Sequence, residues 1–378
     1  MERHLAECLQ DRNQESPAPL AEPEMPGPQI SVIICTHNGA ARLPETLGHL
    51  AGQKFRDPLR WELLLIDNGS NDGSSELARK LWPENASAAM RVIAEPRLGV
   101  SIARQRGISE ARGELICFVD DDNWLAPDWL QIAWDTMAAN PRIGALGGVN
   151  EPVCEVTPPW WFDDFRGVLA TTANDEPLGD FTEVGSALVT AGMVVRRTAW
   201  ASLEKRGFRI TVQSRTGKGL TTGEDSEICL ALRLDGWRLY REPQMRLKHY
   251  LPARRLDWWY VRKLFRGYGE GSVQLDGYFT FHGSLERTWK KPFRSAWQWH
   301  FLAAVAELLR HPGRLLRFPF FAMDGDKVVC EMEIHYGRTL GYWRHRKLYA
   351  QAGQRIQTMF ADVLGSLRES GNSQCTSR

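Results

Sequence analysis

Residues 116–124 read ICFVDDDNW, a run of apolar strand formers that ends in three consecutive carboxylates, Asp120, Asp121 and Asp122. Carboxylates this close repel one another at neutral pH unless protons or a cation relieve them. A donor set of oxygens alone, without Cys or nearby His among the ligands, suits magnesium or manganese better than zinc, and such ions keep open positions for substrate phosphates. The other reading is a solvated acidic turn in which Asp121 or Asp122 caps a helix starting near Pro127. Two further apolar runs, 30–36 and 61–66, also end in polar loops, Thr36-His37-Asn38 and Asp67-Asn68-Gly69-Ser70. Each of those loops, taken alone, is also an ordinary turn sequence. A second acidic pair, Glu224 and Asp225, opens a predicted helix over 224–234, after the glycine-rich stretch 216–223. A carboxylate placed there either takes a proton from an attacking hydroxyl as a general base or only favours the helix N-terminus through its dipole. His249 ends a strand-like stretch at 245–249 and is either structural or a ligand.

The elements that must position these residues alternate along the chain. Buried strands are expected at 30–36, 61–66, 90–96 and 113–122, and helices at about 43–50, 74–82 and 100–112. Strands that are continuous hydrophobic runs, separated by helices, predict an α/β fold with a mostly parallel sheet covered by helices on both faces. In such a sheet the carboxyl ends of the strands form the ligand crevice, so the three polar loops are expected to converge there. Residues 1–28 carry five prolines and are expected to be a flexible lead-in, followed by a catalytic domain over 29–253. A helical region over 254–365 and a disordered tail over 366–378 complete the expected organisation.

Bulk composition sets the bounds. The chain has 378 residues, 43% hydrophobic and 25% charged, and 47 basic residues nearly cancel 46 acidic ones. That composition fits a globular protein with a sizeable core and points to no nucleic-acid partner. Local charge is less even, because 254–347 holds 17 Lys and Arg against 9 Asp and Glu. Seven cysteines without a CxxC pair, and an N-terminus MERHLAECLQDRNQ without a signal-like apolar segment, predict reduced thiols in the cytoplasm. The longest apolar candidate for a span, 297–309, is too short to cross a bilayer.

Three blocks in order, ISVIICTHNG, LLLIDNGSNDGS and GVSIARQRGISEARGELICFVDDDN, resemble the nucleotide-sugar domain of family-two glycosyltransferases. A later block, TTGEDSEICLALRLDGWRLYREPQMRLKHY, is similar to that family's acceptor side, and the likeness covers about residues 30–250. ARQRGI, FVDDDN with APDW, the GEDSE block and VVCEMEIHYGRTLGYW also look like the hormogonium-polysaccharide type of glycosyltransferase. The resemblance implies a GT-A (Rossmann-like) fold and a metal-dependent, inverting transfer of a sugar from a nucleotide diphosphate, expected to be a UDP-sugar. The acceptor it implies is a hydroxyl of a glycan or lipid-linked glycan, in polysaccharide biosynthesis. By resemblance, Thr36, Asn38, Asp67 and Arg104 line the nucleotide site. Asp120 and Asp122 match the outer acids of the DxD motif. Asp122 would contact Mn2+ or Mg2+ directly, Asp120 or Asp121 would face the ribose, and His249 would complete the metal site. Asp225 would be the base, with Glu224 orienting the acceptor. Gln105 stands where the family often has Asn after its Ala-Arg pair, and that contact stays open.

Two rival classes stand beside this one. A sugar-1-phosphate nucleotidyltransferase needs a glycine-rich phosphate loop bearing Arg and Lys directly after the first strand, and THNGAARLPE has no such loop. A non-catalytic glycan-binding or scaffold protein of transferase descent is expected to lose the acids, yet Asp67, Asp120, Asp122 and Asp225 all stand. The helices after Arg254 interleave aromatic and basic residues, which suits a cap on the catalytic domain with snorkelling arginines or peripheral contact with a membrane. Arg254, Arg255, Arg262 and Lys263 are candidates to meet an anionic group on the donor or on a lipid-linked acceptor. Trp160 and Trp161 are either core residues or a platform for a sugar ring. Oligomeric state is not set by the sequence.

Overall fold

The computed structural model describes residues 27–173, 175–183, 187–212, 220–282, 296–310 and 323–363. The expected lead-in up to residue 26, most of the glycine-rich stretch before Gly223, parts of the expected helical region (283–295, 311–322 and 364–365) and the expected tail over 366–378 lie outside the described residues. The elements of the first half are β1 (Ile30–Thr36), α1 (Leu43–Ala51), β2 (Trp61–Asp67), α2 (Ser74–Leu81), β3 (Ala89–Ala94), α3 (Val100–Glu110) and β4 (Leu115–Asp120). β5 (Asn123–Leu125), α4 (Trp129–Ala139) and β6 (Ile143–Cys154) follow. Then come a short helix α5 (Phe162–Phe165), β7 (Gly179–Asp180), β8 (Val194–Arg196), α6 (Arg197–Lys205), α7 (Glu224–Leu234) and β9 (Arg238–Leu251). The last described elements are the helices α8 (Trp258–His282), α9 (Trp297–Leu309) and α10 (Lys327–Met359).

The nine strands form one sheet in the order β3-β2-β1-β4-β8-β6-β9-β5, with β7 on β9. β3, β2, β1 and β4 run parallel, as their unbroken apolar sequences require. The rest is mixed: β8 is antiparallel to β4 and β6, and β9 pairs parallel with β6 but antiparallel with β5. The helix-covered, mostly parallel expectation thus holds for the half that carries the three polar loops. Successive strand residues serve opposite faces. Ile33, Leu64, Ile66 and Phe118 pack on Ala103 and Ile108 of α3 and on Ile228 and Leu232 of α7. Val32, Ile34, Leu63, Leu65 and Val119 pack on Leu43, Leu47 and Leu50 of α1 and on Trp129 of α4. Each such aliphatic side chain, fully buried, contributes roughly 1.5–3 kcal/mol, so the sheet is gripped from both sides before any polar contact is counted.

Register sets the level of the strand tips. Thr36 lies beside Asp67 across β1/β2, and Cys35 lies beside Asp120 across β1/β4. β9 brings His249 opposite Asn123 on β5 and Pro152 on β6, and Tyr250 N donates to the Asp122 carbonyl at 2.9 Å. A residue 127 positions later in the chain is therefore locked next to Asp122 by the ladder.

The C-terminal helices complete the core rather than standing apart, because Tyr278 of α8 and Ile356 of α10 join the cluster formed by α3 and α7. α8 and α10 approach so closely that a Cβ at Gly337 would lie 2.0 Å from the Arg266 carbonyl, and one at Gly269 2.1 Å from that of Ile334. Only glycine permits this backbone-on-backbone contact. Glu333 of α10 is 0% exposed at its side chain and accepts from Arg262 Nε at 2.9 Å and Arg266 Nε at 2.8 Å. Among the described residues no helix is long and apolar enough to cross a membrane.

Candidate active site

A cavity of about 630 Å³ opens at the carboxyl ends of β1 and β4 and is closed on the far side by α7 and α8. Thr36, Arg104, Asp120, Asp121, Asp122, Glu224 and Asp225 all line it. The two acidic clusters, about a hundred residues apart in the chain, thus face one space.

The three adjacent carboxylates are relieved by three arginines drawn from three different parts of the fold. Asp121 takes Arg42 in a bidentate pair, Nε to Oδ1 and Nη2 to Oδ2 at 2.8 Å each, and also accepts from Thr36 Oγ1 at 2.7 Å. Burial pushes the Asp121 carboxyl up, and Arg42 and Thr36 only partly pull it back. A Cβ at Gly39 would stand 2.0 Å from Thr36 Oγ1 and 2.4 Å from Asp121 Oδ2, so the turn after β1 needs glycine to let this pair form. Asp120 Oδ1 accepts from Arg104 Nη2 at 3.0 Å. The second fork of Arg104, Nη1, lies 3.3 Å from Glu224 Oε1. Burial works against the Arg104 charge, yet Glu224 and Asp120 hold its pKa above the ordinary guanidinium range. Arg104 is thereby a cross-brace between the tip of β4 and the N-terminus of α7.

Asp122 is 3% exposed at its side chain; its Oδ1 is 3.4 Å from His249 Nε2 and accepts from Asn123 Nδ2 at 3.4 Å, and its Oδ2 is 3.0 Å from Arg255 Nη2. Arg255 Nη1 also donates to His249 Nε2 at 3.0 Å. The other ring nitrogen, Nδ1, lies 3.2 Å from the Ala170 carbonyl and must donate to it, which turns the Nε2 lone pair toward Asp122 and Arg255. Burial opposes the Arg255 charge, but Asp122 foremost, with Asp120 and Asp121, raises its pKa overall. Among the described residues no trio of His, Cys, Asp and Glu converges as a complete protein-made metal cage. The donor set that does converge, one carboxylate and one imidazole bridged by a guanidinium standing in for a cation, fits an ion that takes its remaining ligands from phosphate and water.

On the other wall, α7 begins after Gly223, whose φ of +125° makes the sharp entry possible. Glu224 is 2% exposed; its Oε2 accepts from Ser101 Oγ at 2.5 Å and its Oε1 lies 3.3 Å from Arg104 Nη1, so it braces the wall. Asp225 lines the cavity, and its Oδ1 accepts from Ser226 N at 2.9 Å. Burial pushes its carboxyl up, and the neighbouring Glu224 adds to this, while Ser226 and Arg104 oppose it. A raised carboxylate beside a cavity is suited to accept a proton near neutral pH.

Asp67 and Asn38 fall at the rim rather than in the cavity lining. Asp67 Oδ1 accepts from Ser70 N at 2.9 Å and its Oδ2 from Ser75 Oγ, which fixes the loop after β2. Asn38, in the left-handed region at φ 49°, accepts from Asn71 N at 2.9 Å, and its own N–H donates to Ser70 Oγ at 3.0 Å. These residues tie the first two loops together, leaving Asn68 as the β2-loop residue that faces the cavity. Asp121 accepts from Arg42 and Thr36, while Asp120, 28% exposed at its side chain, is the more open of the two acids at 120 and 121. Of the tryptophan pair, Trp161 is core at 2% exposure and Trp160 is 78% exposed, and neither lines the cavity.

Sequence reasoning missed Arg42, Ser101 and Tyr268. Arg42 was discoverable as the first basic residue behind the β1 turn. Tyr268 of α8 lines the cavity, and its hydroxyl is pushed up by burial and by the charge of Asp225. No local pattern marks it, since it reaches the site only through the packing of α8.

Residues 31–198 match the family model described as glycosyl transferase family 2. The chain is a glycosyltransferase. It is 26% identical to the succinoglycan biosynthesis protein ExoM of Rhizobium meliloti, over 63% of this chain and 72% of that one. It is 24% identical to the glucosyl-dolichyl phosphate glucuronosyltransferase of Haloferax volcanii, over 65% of this chain and 78% of that one. Among solved structures it is similar to a mannosyltransferase of Pyrobaculum calidifontis in complex with GDP-Man and Mn2+, at 18% identity and a TM-score of 0.49, covering 96% of this chain and 94% of that one.

Proposed function

We propose that this glycosyltransferase moves a sugar from a nucleoside diphosphate, with uridine the expected base, onto a hydroxyl of a glycan or lipid-linked glycan, inverting the anomeric carbon. The observation that carries the reading is the single cavity whose one wall holds Asp120 and Asp122 and whose other wall holds Asp225. Relatives named for succinoglycan biosynthesis and for dolichyl-phosphate glycosyl transfer support a place in the assembly of a polysaccharide or lipid-linked glycan.

In this reading Asp122 and His249 hold a divalent cation, Mn2+ or Mg2+, which when bound neutralises charge on the departing diphosphate. Asp120, free on one side, faces the ribose. Arg104 keeps β4 and α7 at a fixed separation, so that the base and the leaving group stay on opposite sides of the sugar. Asp225 removes the proton from the acceptor oxygen as that oxygen attacks, with an effect of about 10²–10⁴-fold typical of a positioned general base. The described cysteines are unpaired thiols, in keeping with a cytoplasmic setting. Trp299, Leu302 and Trp343 are exposed beside the basic C-terminal helices and suit peripheral contact with the inner face of a membrane.

The test is a thermal-shift panel of nucleotide sugars with and without Mn2+. The reading expects one donor class to raise the melting temperature, more so with the ion. A panel in which no nucleoside diphosphate sugar shifts the melt would refute it.

A further inference from the structure

We infer that Arg255 is a built-in counter-cation that occupies the divalent-ion position until the donor diphosphate arrives, so that ion and nucleotide are bound together or hardly at all. The inference rests on the functional reading above and concerns how its metal site is loaded.

The geometry is a competition for the same atoms. Arg255 Nη2 lies 3.0 Å from Asp122 Oδ2, and Nη1 lies 3.0 Å from His249 Nε2. An ion ligated by those two atoms would sit roughly 2.0–2.2 Å from each, inside the space the guanidinium now fills, and it would repel the fixed positive charge beside it. Guanidinium and ion therefore exclude each other. Nor is Arg255 a surface cation resting there by chance, since its side chain is only 14% exposed. The turn that carries it, Ala253–Leu256, is pinned by Ala253 N donating to Glu155 Oε2 at 2.7 Å. Of the other two carboxylates, Asp121 is held by Arg42 through both oxygens and Asp120 has one oxygen on Arg104, so the ion's protein ligands are Asp122 and His249.

Each of the three adjacent carboxylates already faces an arginine, which weakens the pull of Asp122 on an ion before the donor arrives. A guanidinium displaced from Asp122 needs a new anion, and the group that brings one is a diphosphate, which matches its planar fork. Donor binding would thus vacate the ion position as the phosphates complete the ligand set, which makes the coupling reciprocal.

The experiment titrates Mn2+ into the full chain and follows the free ion by electron paramagnetic resonance, first without nucleotide and then with UDP. Wild type, Arg255→Gln and Arg255→Lys are compared, each checked for fold by circular dichroism. Without nucleotide, R255Q should bind Mn2+ about tenfold tighter than wild type or better, in the usual range of coupling between sites, with R255K between them. UDP should sharpen Mn2+ binding strongly in wild type and much less in R255Q. Adding His249→Gln to R255Q should remove the gain, which ties it to this pair of atoms. Equal or weaker Mn2+ binding by a folded R255Q would overturn the inference, as would tight Mn2+ binding by nucleotide-free wild type. Failure of the functional reading looks different: UDP itself would bind neither protein, with or without the ion.

Discussion

Replacing Arg104 with glutamine removes the brace between β4 and α7. Arg104 is 9% exposed at its side chain, Glu224 2% and Asp120 28%, with contacts of 3.0 and 3.3 Å. Deleting one partner of a buried ion pair strands the other and costs roughly 3–5 kcal/mol. Because Asp120 is partly solvated, and solvent screens that arm, the lower end, about 3 kcal/mol, is the expected loss. At about 2.1 cal/mol/K per residue the unfolding entropy of 378 residues is near 0.8 kcal/mol/K, so the melting temperature should fall by about 4 °C. The check is a double-mutant cycle by calorimetry with Arg104→Gln, Glu224→Gln and both together. The double variant should recover about 1–3 kcal/mol relative to the sum of the singles, because the stranded charge has been removed with its partner. Additive losses, or a single-variant loss below about 1 kcal/mol, would refute the claim that this triad is buried and coupled.

Arg42→Ala leaves Asp121 buried with Thr36 as its remaining side-chain partner, and it should lower stability by about 2–3 kcal/mol, read from urea midpoints, and weaken nucleotide binding as the β1 turn loosens. Gly337→Ala forces a Cβ against the Arg266 carbonyl and should cost about 1–3 kcal/mol by overpacking, seen as a melting-temperature drop with donor affinity little changed. Burial raises the Asp225 carboxyl, so the acid limb of the transfer rate should lie above the ordinary aspartate range, with activity lost as pH falls through it. The same raised value means the ionised form costs stability as pH rises from the unfolded pKa through the folded one. Asp225→Asn should therefore melt higher than wild type at pH 7.5, with the gap closing on acidification.

Much of this arrangement is legible in the chain because local rules write it. ISVIICT, WELLLID and LICFVD could only be strands buried on both faces, and a parallel sheet obliges their tips to meet, so the grouping of Thr36 with Asp120, Asp121 and Asp122 follows from pattern alone. Helix α7 came out at its sequence boundaries, Glu224 to Leu234, since glycine precedes it and acids fill its first turn. What pattern does not write is which cation answers which carboxylate. The repulsion at 120–122 pointed to an ion, whereas the fold relieves it with Arg42, Arg104 and Arg255, each delivered by tertiary contact from a different element. Asp67 shows the same limit from the other side: its strand-tip position suggests a ligand contact, and what the pattern does not write is that its carboxylate also fixes the turn through Ser70 and Ser75. The order of the mixed strands β8, β6 and β9 is not legible either, although 245–249 of β9 reads as strand, because that order depends on crossovers far apart in sequence.

The central claim is that Asp225 performs the proton transfer across a cavity whose opposite wall binds the donor. Calorimetric titration of UDP with Mn2+ into Asp225→Asn, alongside its turnover of the donor found by the panel, separates the two walls. The account predicts binding within about threefold of wild type and turnover reduced at least about a hundredfold. Binding lost together with turnover, or turnover kept, would contradict it.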